Sequence, residues 1–448
     1  MTTTSISKSL DILNRNKKFM PGGVCSINRL AEPPIVFVKA EGAYMWDADG
    51  KRYIDYHAAF GPHFLGHNQP RVTAAVEEVL HSSASLFGTG TTVLEGRLAE
   101  LLCTNIAALE SLVILNTGSE ATAAAIRLSR AVTDRDHVIV MQGGYNGLSD
   151  SLACNLMNTL EEIGPRVSPG EYRRIPMGAG TAMAQRQSTH VVNFNDIESV
   201  RYVCDRYPVA ALITEPILQN VGIVRPQPGY LRELRNLADE YGFILIFDEV
   251  KTGFRHAFGG FSEISGVIPD LVVYGKAVAN GYPLSILGGK RELMDYMVHP
   301  DLTKRPLVAG TYNGHPIPVA AAIATVDCLL EDNGQVYRHV EQLGRIMQEG
   351  IESILKRLHV PGVVSRQGSA FVLYFMDHPP RDWHDLLEHH DFSKDCVMRQ
   401  ALIERGIYVF PVATKQCSIS AAHTEDDIAF TLENLKEVLQ GLWPATSR

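Results

Sequence analysis

The chain has 448 residues and a formal net charge of -9, and 45% of its residues are hydrophobic. This length exceeds one ordinary hydrophobic core, so we expect two domains or one large domain with appendages. The acidic balance and the lack of a Lys/Arg-rich run argue against a nucleic-acid surface. The longest apolar runs are too short to span a bilayer.

Cysteine and histidine usage indicates a cytoplasmic protein without a metal centre. The seven cysteines are scattered, contain no Cys-x-x-Cys pair and are expected to be reduced thiols. No secretory signal is evident, because the first residues lack a basic segment followed by an apolar stretch. None of the 16 histidines forms a His-x-x-x-His pair on a convincing helix. His389-His390 lies in a charged stretch, which predicts a solvated face.

The first quarter of the chain combines helical periodicity with short apolar runs and turn residues. The predicted elements are a helix at 8–20 that ends at Pro21-Gly22-Gly23, short strands within 35–56, and helices at 70–81 and 94–106.

Between about 112 and 290, short apolar runs alternate with helical patterns. Strands are predicted at 113–115, 137–140, 209–214, 244–248 and 271–274, and helices at 119–131 and 229–241. Continuously apolar strands that alternate with helices predict a doubly wound, largely parallel α/β sheet. Ligands of such sheets bind outside the carboxyl ends of the strands.

The rest of the chain predicts long helices and one long loop. The helices are expected at 315–331, 335–358 and 425–442. Residues 155–190 have weak periodicity and many Gly, Pro and Arg residues, which predicts a loop near the functional site.

Asp248 and Lys276 both follow predicted strands and suit a pyridoxal phosphate (PLP) site. Asp248 ends the run that starts at Phe243, and Lys276 follows 28 positions later. In a PLP enzyme a carboxylate keeps the pyridine nitrogen protonated, and a lysine forms a Schiff base and then moves the substrate's α-proton. The alternative interpretations are that Asp248 is an exposed acid at a strand end and that Lys276 is a surface lysine. The groups at the ends of the other strands argue against both.

Those other strand ends supply groups that the same cofactor needs. Gly118 and Ser119 open a helix whose backbone N–H groups form an anion site, although a capping box explains the same residues. Tyr145 could stack on a planar ring or pack as a core aromatic of a turn. Asn220 could bond a phenolic oxygen or be a loop asparagine, and Thr311 offers a second hydroxyl for phosphate.

Together these residues resemble the fold-type I PLP enzymes of the class III aminotransferase family, and within it the glutamate-1-semialdehyde 2,1-aminomutase branch. The resemblance covers nearly the whole chain. Its motifs are Pro21-Gly22-Gly23-Val24, the block from Gly42 to Tyr56, Leu65-Gly66-His67, Thr117-Gly118-Ser119-Glu120-Ala121, Phe247-Asp248-Glu249-Val250, Thr252-Gly253-Phe254-Arg255, Gly275-Lys276, Gly310-Thr311 and Ser420-Ala421-Ala422-His423-Thr424.

The resemblance implies a fold and an assembly. The implied fold is α/β, with a mostly parallel seven-stranded-type sheet sandwiched by helices and a smaller α+β domain from both termini. The implied boundaries are 1–70 for the N-terminal segment of the small domain, 71–318 for the PLP-binding large domain and 319–448 for the C-terminal small domain. The implied assembly is a homodimer with shared active sites.

The resemblance also implies roles for single residues in binding the cofactor. Val250 would pack on one face of the ring and Tyr145 on the other, and Asn220 would contact the ring hydroxyl. Gly118 and Ser119 would hold the phosphate, with Thr311 of the partner subunit completing that site.

In the substrate site, the resemblance assigns Arg29 to the substrate carboxylate, a task that suits a bidentate guanidinium. Phe60 lies in the same site, where it replaces the tryptophan of the aminomutase Trp-Gly-Pro motif. Asn146 replaces a histidine that usually follows the stacking tyrosine, and Lys415 falls where the aminomutases carry a glutamate. The aminomutase gating loop is not recognisable in 155–190.

These departures favour an intermolecular reaction, because a mutase needs its loop to retain the diamino intermediate. We therefore expect an aminotransferase that moves an amino group between a carboxylate-bearing amino compound, β-amino acids included, and a keto or aldehyde acceptor. Glutamate-1-semialdehyde 2,1-aminomutase activity is the alternative, followed by racemase, decarboxylase or phospholyase chemistry on the same scaffold.

Overall fold

The computed structural model describes residues 7–82 and 90–444. The strands are β1 (Phe37–Glu41), β2 (Tyr44–Asp47), β3 (Arg52–Asp55), β4 (Ser111–Leu115), β5 (His137–Met141), β6 (Thr189–Val192), β7 (Val209–Thr214), β8 (Ile244–Glu249), β9 (Leu271–Tyr274), β10 (Ser285–Gly289), β11 (Val363–Gln367), β12 (Ala370–Tyr374), β13 (Ile407–Tyr408) and β14 (Cys417–Ser418).

The helices of the described residues include each one predicted from the sequence, several of them with shifted ends, and further helices that the sequence patterns did not predict. They are α1 (Lys8–Asn16), α2 (Pro70–His81), α3 (Val93–Asn105), α4 (Gly118–Thr133), α5 (Leu160–Ile163), α6 (Met183–Gln187), α7 (Ile197–Cys204), α8 (Tyr230–Tyr241), α9 (Phe261–Ser265), α10 (Arg291–Met294), α11 (Pro316–Leu330), α12 (Gln335–Leu358), α13 (Trp383–His389), α14 (Phe392–Glu404) and α15 (Glu425–Leu442). The predicted helix at 8–20 is shorter than expected, since α1 ends at Asn16.

A seven-stranded sheet forms the centre of the molecule, in the order β4-β10-β9-β8-β7-β5-β6. Its strands pair in parallel except β10, which is antiparallel to both of its neighbours. Every residue of β7 and β8 is buried, and their sequences are apolar up to Thr214 and Asp248-Glu249 at the carboxyl ends, as expected of strands covered on both faces. The predicted parallel α/β sheet is confirmed.

Two smaller sheets contain the strands near the N-terminus and those of the C-terminal part of the chain. The first has the order β1-β2-β3-β13, so strands from both ends of the chain share it, and the second has the order β11-β12-β14. A separate apolar core joins α12, α14 and α15 to these sheets. Helix α11 instead buries Val319 and Val326 in the core of the large sheet. The domain boundaries at 70 and 318 stay predictions.

The segment 155–190 is not one long loop. It contains α5 and α6, and β6 begins at Thr189 and completes the edge of the large sheet beside β5. Bidentate contacts of 2.6 and 2.8 Å join Arg166 to Asp382, and the Trp383 indole donates to the Asn158 carbonyl at 3.0 Å. These contacts fix the segment against the C-terminal part of the chain.

Glu249 closes β8 with a buried carboxylate that organises the segment after it. Its oxygens accept hydrogen bonds from the backbone N–H groups of Phe261 at 2.9 Å and Ser262 at 2.7 Å, and from the Thr252 hydroxyl. Burial raises the pKa of Glu249, and these donors oppose the rise. The carboxylate therefore ties the chain after β8 back to the strand that carries Asp248.

Replacing Glu249 with alanine is expected to lower the free energy of unfolding by about 3 kcal/mol, because buried donors lose their acceptor. Urea denaturation of the cofactor-free protein measures this loss. Glu349→Ala is the control, since Glu349 is 61% exposed and its ion pair with Arg345 lies on the surface of α12. That change should cost less than about 0.5 kcal/mol, and equal losses in the two variants would contradict the assignment.

Candidate active site

A cavity of about 320 Å³ lies at the carboxyl ends of the central strands, where the sheet topology predicts a ligand. Seven of the residues predicted from sequence line it, namely Gly118, Ser119, Tyr145, Asn220, Asp248, Val250 and Lys276. The fold thus brings together groups that lie at or directly after the carboxyl ends of β4, β5, β7, β8 and β9.

Asp248 lies buried in this cavity near the end of β8. Its Oδ2 accepts a hydrogen bond from Asn146 Nδ2 at 2.8 Å, and its Oδ1 accepts one from the Val250 N–H at 3.0 Å. Burial, reinforced by the nearby Glu215 carboxylate, raises the pKa of Asp248 to about 7. A carboxylate in this state is poised to pair with a positively charged N–H group, which would return it to the ionised form.

The raised pKa of Asp248 predicts a pH-dependent stability of the cofactor-free protein. The folded protein holds this proton more tightly than the unfolded chain, where an aspartate titrates near about 4, so stability is lost as pH rises from about 4 to 7. An asparagine at this position cannot titrate. Asp248→Asn should therefore gain stability relative to wild type between about pH 4 and pH 8, by an amount on the order of 4 kcal/mol.

Urea denaturation of the cofactor-free wild type and of Asp248→Asn at the two pH values measures this difference. A stability difference that does not change with pH would show that Asp248 titrates normally. The comparison is between two pH values for one pair of proteins, so the loss of one hydrogen-bond acceptor in the variant cancels.

Lys276 follows β9 and begins a single turn of 3-10 helix that ends at Ala279. Its backbone has a φ of +49°, in the left-handed region that side chains other than glycine rarely adopt, and such strain clusters at functional sites. Burial lowers the pKa of Lys276, while Asp248 and Glu215 oppose the fall. The residue is therefore a half-buried amine that lines the cavity, and the interpretation as a surface lysine is wrong.

The N-terminus of α4 faces the same cavity and is capped as the alternative interpretation expected. Thr117 Oγ1 accepts from the Glu120 N–H at 3.2 Å, and the Glu120 carboxylate accepts from the Thr117 N–H at 3.1 Å. The capping box and the anion site are compatible, because the cap leaves the Gly118 and Ser119 N–H groups at the first turn.

The tight fit around Gly118 supports a cradle for a flat, phosphorylated ligand. A Cβ at Gly118 would lie 3.1 Å from both γ-carbons of Val250, closer than ordinary packing allows. Burial raises the pKa of the Tyr145 hydroxyl, and the neighbouring Ser119 side chain opposes the rise. Together with Asp248 and Lys276, this set of groups fits PLP, because it offers N–H donors for a phosphate, a carboxylate for a ring nitrogen and an amine for an aldehyde.

Three predicted residues do not line the cavity of a single chain. Thr311 and Arg29 are exposed, and Arg29 ends a 3-10 turn near the N-terminus. Phe60 packs against the rings of His57 and Phe410, with centroids 4.2 and 5.0 Å away. The roles expected for these three residues stay predictions.

The structure adds residues that the sequence reasoning missed or placed elsewhere. Asn146 is expected from sequence to shape the substrate site, and it instead donates to Asp248. Lys415 Nζ donates to the Asn220 carbonyl at 2.7 Å, and burial lowers its pKa to about 8. Lys251 also lines the cavity, and its position directly after Val250 in a strand-end motif was the available signal.

The histidine-rich stretch near residue 380 differs from the expectation. His390 is buried, not solvated, because its Nε2 lies 3.2 Å from Asp395 Oδ2 and its Nδ1 accepts from the Phe375 N–H. His378, Asp385 and His389 bring potential metal-ligand atoms within 4.8 Å of one another. This cluster is formed around α13, outside the cavity, and spacing alone does not reveal it.

Comparison with known proteins identifies the family of this site. The family model described as "Aminotransferase class-III" matches residues 26–439. The chain belongs to the class III aminotransferases. As a member of this family it is a PLP-dependent transaminase or aminomutase, and the expected fold and cofactor are confirmed. No helix within 7–82 and 90–444 is both long and apolar enough to cross a membrane.

The proteins and structures similar to this class III chain are named either as aminomutases or as transaminases. Glutamate-1-semialdehyde 2,1-aminomutase of Chlorobium chlorochromatii is 37% identical over 438 residues, covering 96% of this chain and 97% of that protein. The crystal structure of an omega-transaminase from Sphaerobacter thermophilus superposes with a TM-score of 0.89 at 27% identity, covering 98% of both chains. A β-phenylalanine aminotransferase from Variovorax paradoxus gives a TM-score of 0.81 at 26% identity, with coverage of 97% and 94%.

Proposed function

We propose that this class III enzyme transfers an amino group between two molecules, from a carboxylate-bearing amino compound to a keto acid. β-Amino acids are candidate donors, a choice that the likeness to a β-phenylalanine aminotransferase supports. Bound PLP supplies an electron sink for the carbanion that forms at the donor carbon. The tasks of the chain's own residues follow from their positions in the cavity.

Asp248 and Lys276 would carry the proton chemistry. The Asp248 carboxylate, held by Asn146 and the Val250 N–H, would keep a proton on the cofactor's ring nitrogen. Lys276 Nζ would hold the cofactor and then, once released by the amino substrate, take the α-proton and return it. Its lowered pKa supports this task, because a base must be unprotonated to accept a proton.

The remaining cavity residues would hold and orient the cofactor. The N–H groups of Gly118 and Ser119 would bind its phosphate, with Thr311 of the partner subunit completing the contact. Tyr145 and Val250 would hold the ring, and Asn220 would contact its hydroxyl. Since Thr311 and Arg29 are exposed in one chain, we propose a homodimer in which a second copy brings such residues to each site.

The proposal of transfer between two molecules depends on segment 155–188, which contacts elsewhere in the chain hold in place. A mutase must keep its intermediate enclosed while the amino group changes position, which requires a closing loop. Here the corresponding segment is fixed by the Arg166–Asp382 and Trp383–Asn158 contacts, and none of its side chains that the structure describes belongs to the cavity lining. A site without such a lid favours release of the first product and entry of a second substrate.

Glutamate-1-semialdehyde 2,1-aminomutase activity is the second candidate. Curated relatives of this name are 35–37% identical over nearly the whole chain, and these comparisons favour the mutase over the transferase. Against them stands the charge change at Lys415, whose ammonium lies on the Asn220 carbonyl where the aminomutases carry a glutamate.

A panel of amino donors tests the proposal. Each donor is added to the PLP-loaded enzyme without an acceptor, and conversion of the cofactor to its pyridoxamine form is followed by absorbance. β-Alanine and β-phenylalanine should convert the cofactor, and a keto acid should then restore it. Failure of every other carboxylate-bearing donor, with conversion by glutamate-1-semialdehyde alone, would replace the transferase with the mutase.

A further inference from the structure

Lys251 places a second lysine side chain in the cavity that Lys276 lines. The residue lines the cavity, and its Nζ donates a hydrogen bond of 2.7 Å to the Gln219 carbonyl. A lysine ammonium has three N–H donors, so this contact uses only one of them. Across 7–82 and 90–444, no carboxylate lies within 4.0 Å of this nitrogen.

The charged groups around Lys251 do not balance a positive charge on its side chain. Burial and the positive charge of Lys276 lower the pKa of Lys251, and Glu215 opposes the fall. The Glu215 carboxylate already accepts from the N–H groups of Tyr145 at 3.0 Å and Gln219 at 2.9 Å. Placing a cation in such a site without a paired anion is unfavourable, so the arrangement is suited to a ligand that brings the negative charge.

Lys276 cannot be the cation that pairs with a negatively charged ligand. When it is bound to the cofactor, its nitrogen is committed, and Lys251 is the remaining amine of the cavity lining. Lys415 is outside the cavity lining, and its Nζ donates to the Asn220 carbonyl at 2.7 Å. Two lysines therefore bind consecutive carbonyls of one loop, and only Lys251 lies in the cavity lining.

We propose that Lys251 is an oxyanion-binding residue of the reaction cavity, which pairs with a negatively charged oxygen of the bound ligands. Two oxyanions can meet it there: the ring oxygen of PLP, and the carboxylate of the amino substrate. The inference rests on the proposed function, since it takes both the cofactor and a carboxylate-bearing substrate from it.

Three variants separate charge from loop anchoring. Lys251→Gln keeps an N–H donor for the Gln219 carbonyl and removes the charge, whereas Lys251→Arg keeps the charge. Lys251→Met removes both. If the lysine only anchored the loop, Lys251→Gln would behave like wild type and Lys251→Met would not, and that result would overturn the proposal.

Two measurements on the PLP-loaded proteins distinguish the oxyanions. The first is the absorption maximum of the cofactor without substrate, and the second is the Kd of propionate, with the neutral propionamide as control. If the ring oxygen is the partner, Lys251→Gln shifts the absorption maximum and Lys251→Arg restores it. If the substrate carboxylate is the partner, Lys251→Gln weakens propionate at least about tenfold and leaves propionamide unchanged.

The wild-type protein separates failure of this inference from failure of the proposed function. Wild type that gains a near-visible cofactor band and transaminates, while Lys251→Gln changes neither measurement, overturns the role of Lys251 and leaves the function intact. Wild type that gains no such band overturns the proposed function and this inference with it.

Discussion

Replacing Lys276 with alanine is expected to abolish the near-visible absorbance that the purified protein gains with PLP, and to prevent its fixation by borohydride. It should also lower kcat/KM by at least about 10³-fold, because the variant loses both the amine that holds the cofactor and the base that moves the α-proton. The expectation depends on the position of Lys276 after β9, in the cavity that also holds Asp248.

Lys356→Ala is the matched control for this loss. Lys356 is exposed in the last turn of α12, and removing it should leave the absorbance and the rate unchanged. Circular dichroism of both variants reports whether the fold is retained. A Lys276→Ala protein that keeps a borohydride-fixable band would assign the cofactor to another lysine, with Lys251 of the cavity lining as the first candidate.

Asp248→Ala is expected to lower kcat/KM by between about 10² and 10³-fold, because a buried charge partner of the cofactor is lost. Without the carboxylate, the ring nitrogen loses its proton at neutral pH and the cofactor withdraws electrons less strongly. The Asn146 amide then lacks its acceptor, since its Nδ2 donates to Asp248 at 2.8 Å. The effect should fall mainly on kcat, because the missing interaction is strongest in the transition state.

Steady-state kinetics with a saturating donor measures this change, and Asp239→Ala provides the control. Asp239 is 68% exposed and pairs with Arg235 on α8, so its removal should not alter the rate. Asp248→Glu should recover part of the activity, as it restores a carboxylate in an altered position. Equal rates for wild type and Asp248→Ala would remove Asp248 from the cofactor site.

The large sheet could be predicted because its strands are buried on both faces. The run Phe243–Phe247 contains no polar residue, which is the pattern expected of a strand whose two faces are both buried. Because parallel strands present their carboxyl ends at one edge, Asp248, Asn220 and Tyr145 could be assigned to one site from sequence. Strand β10 could not be predicted because a run as short as Ser285–Gly289 ends in two glycines, which favour a turn.

The rest of the site depends on contacts that spacing does not contain. Asn146 lies one residue after Tyr145, and only the turn after β5 directs it to Asp248. Lys415 reaches the Asn220 carbonyl across 195 positions of sequence. The pattern of residues 155–190 predicts a loop because the contacts that order this segment, such as Arg166 with Asp382, are made to a distant part of the chain.

Turnover of glutamate-1-semialdehyde by the PLP-loaded enzyme, without and with a second substrate, tests the central proposal most directly. A transferase supplied with the semialdehyde alone should stop after no more than one equivalent per active site, and sustained turnover should require both an amino donor and a keto acid. Sustained conversion of the semialdehyde alone would contradict transfer between molecules and assign the enzyme to the aminomutases.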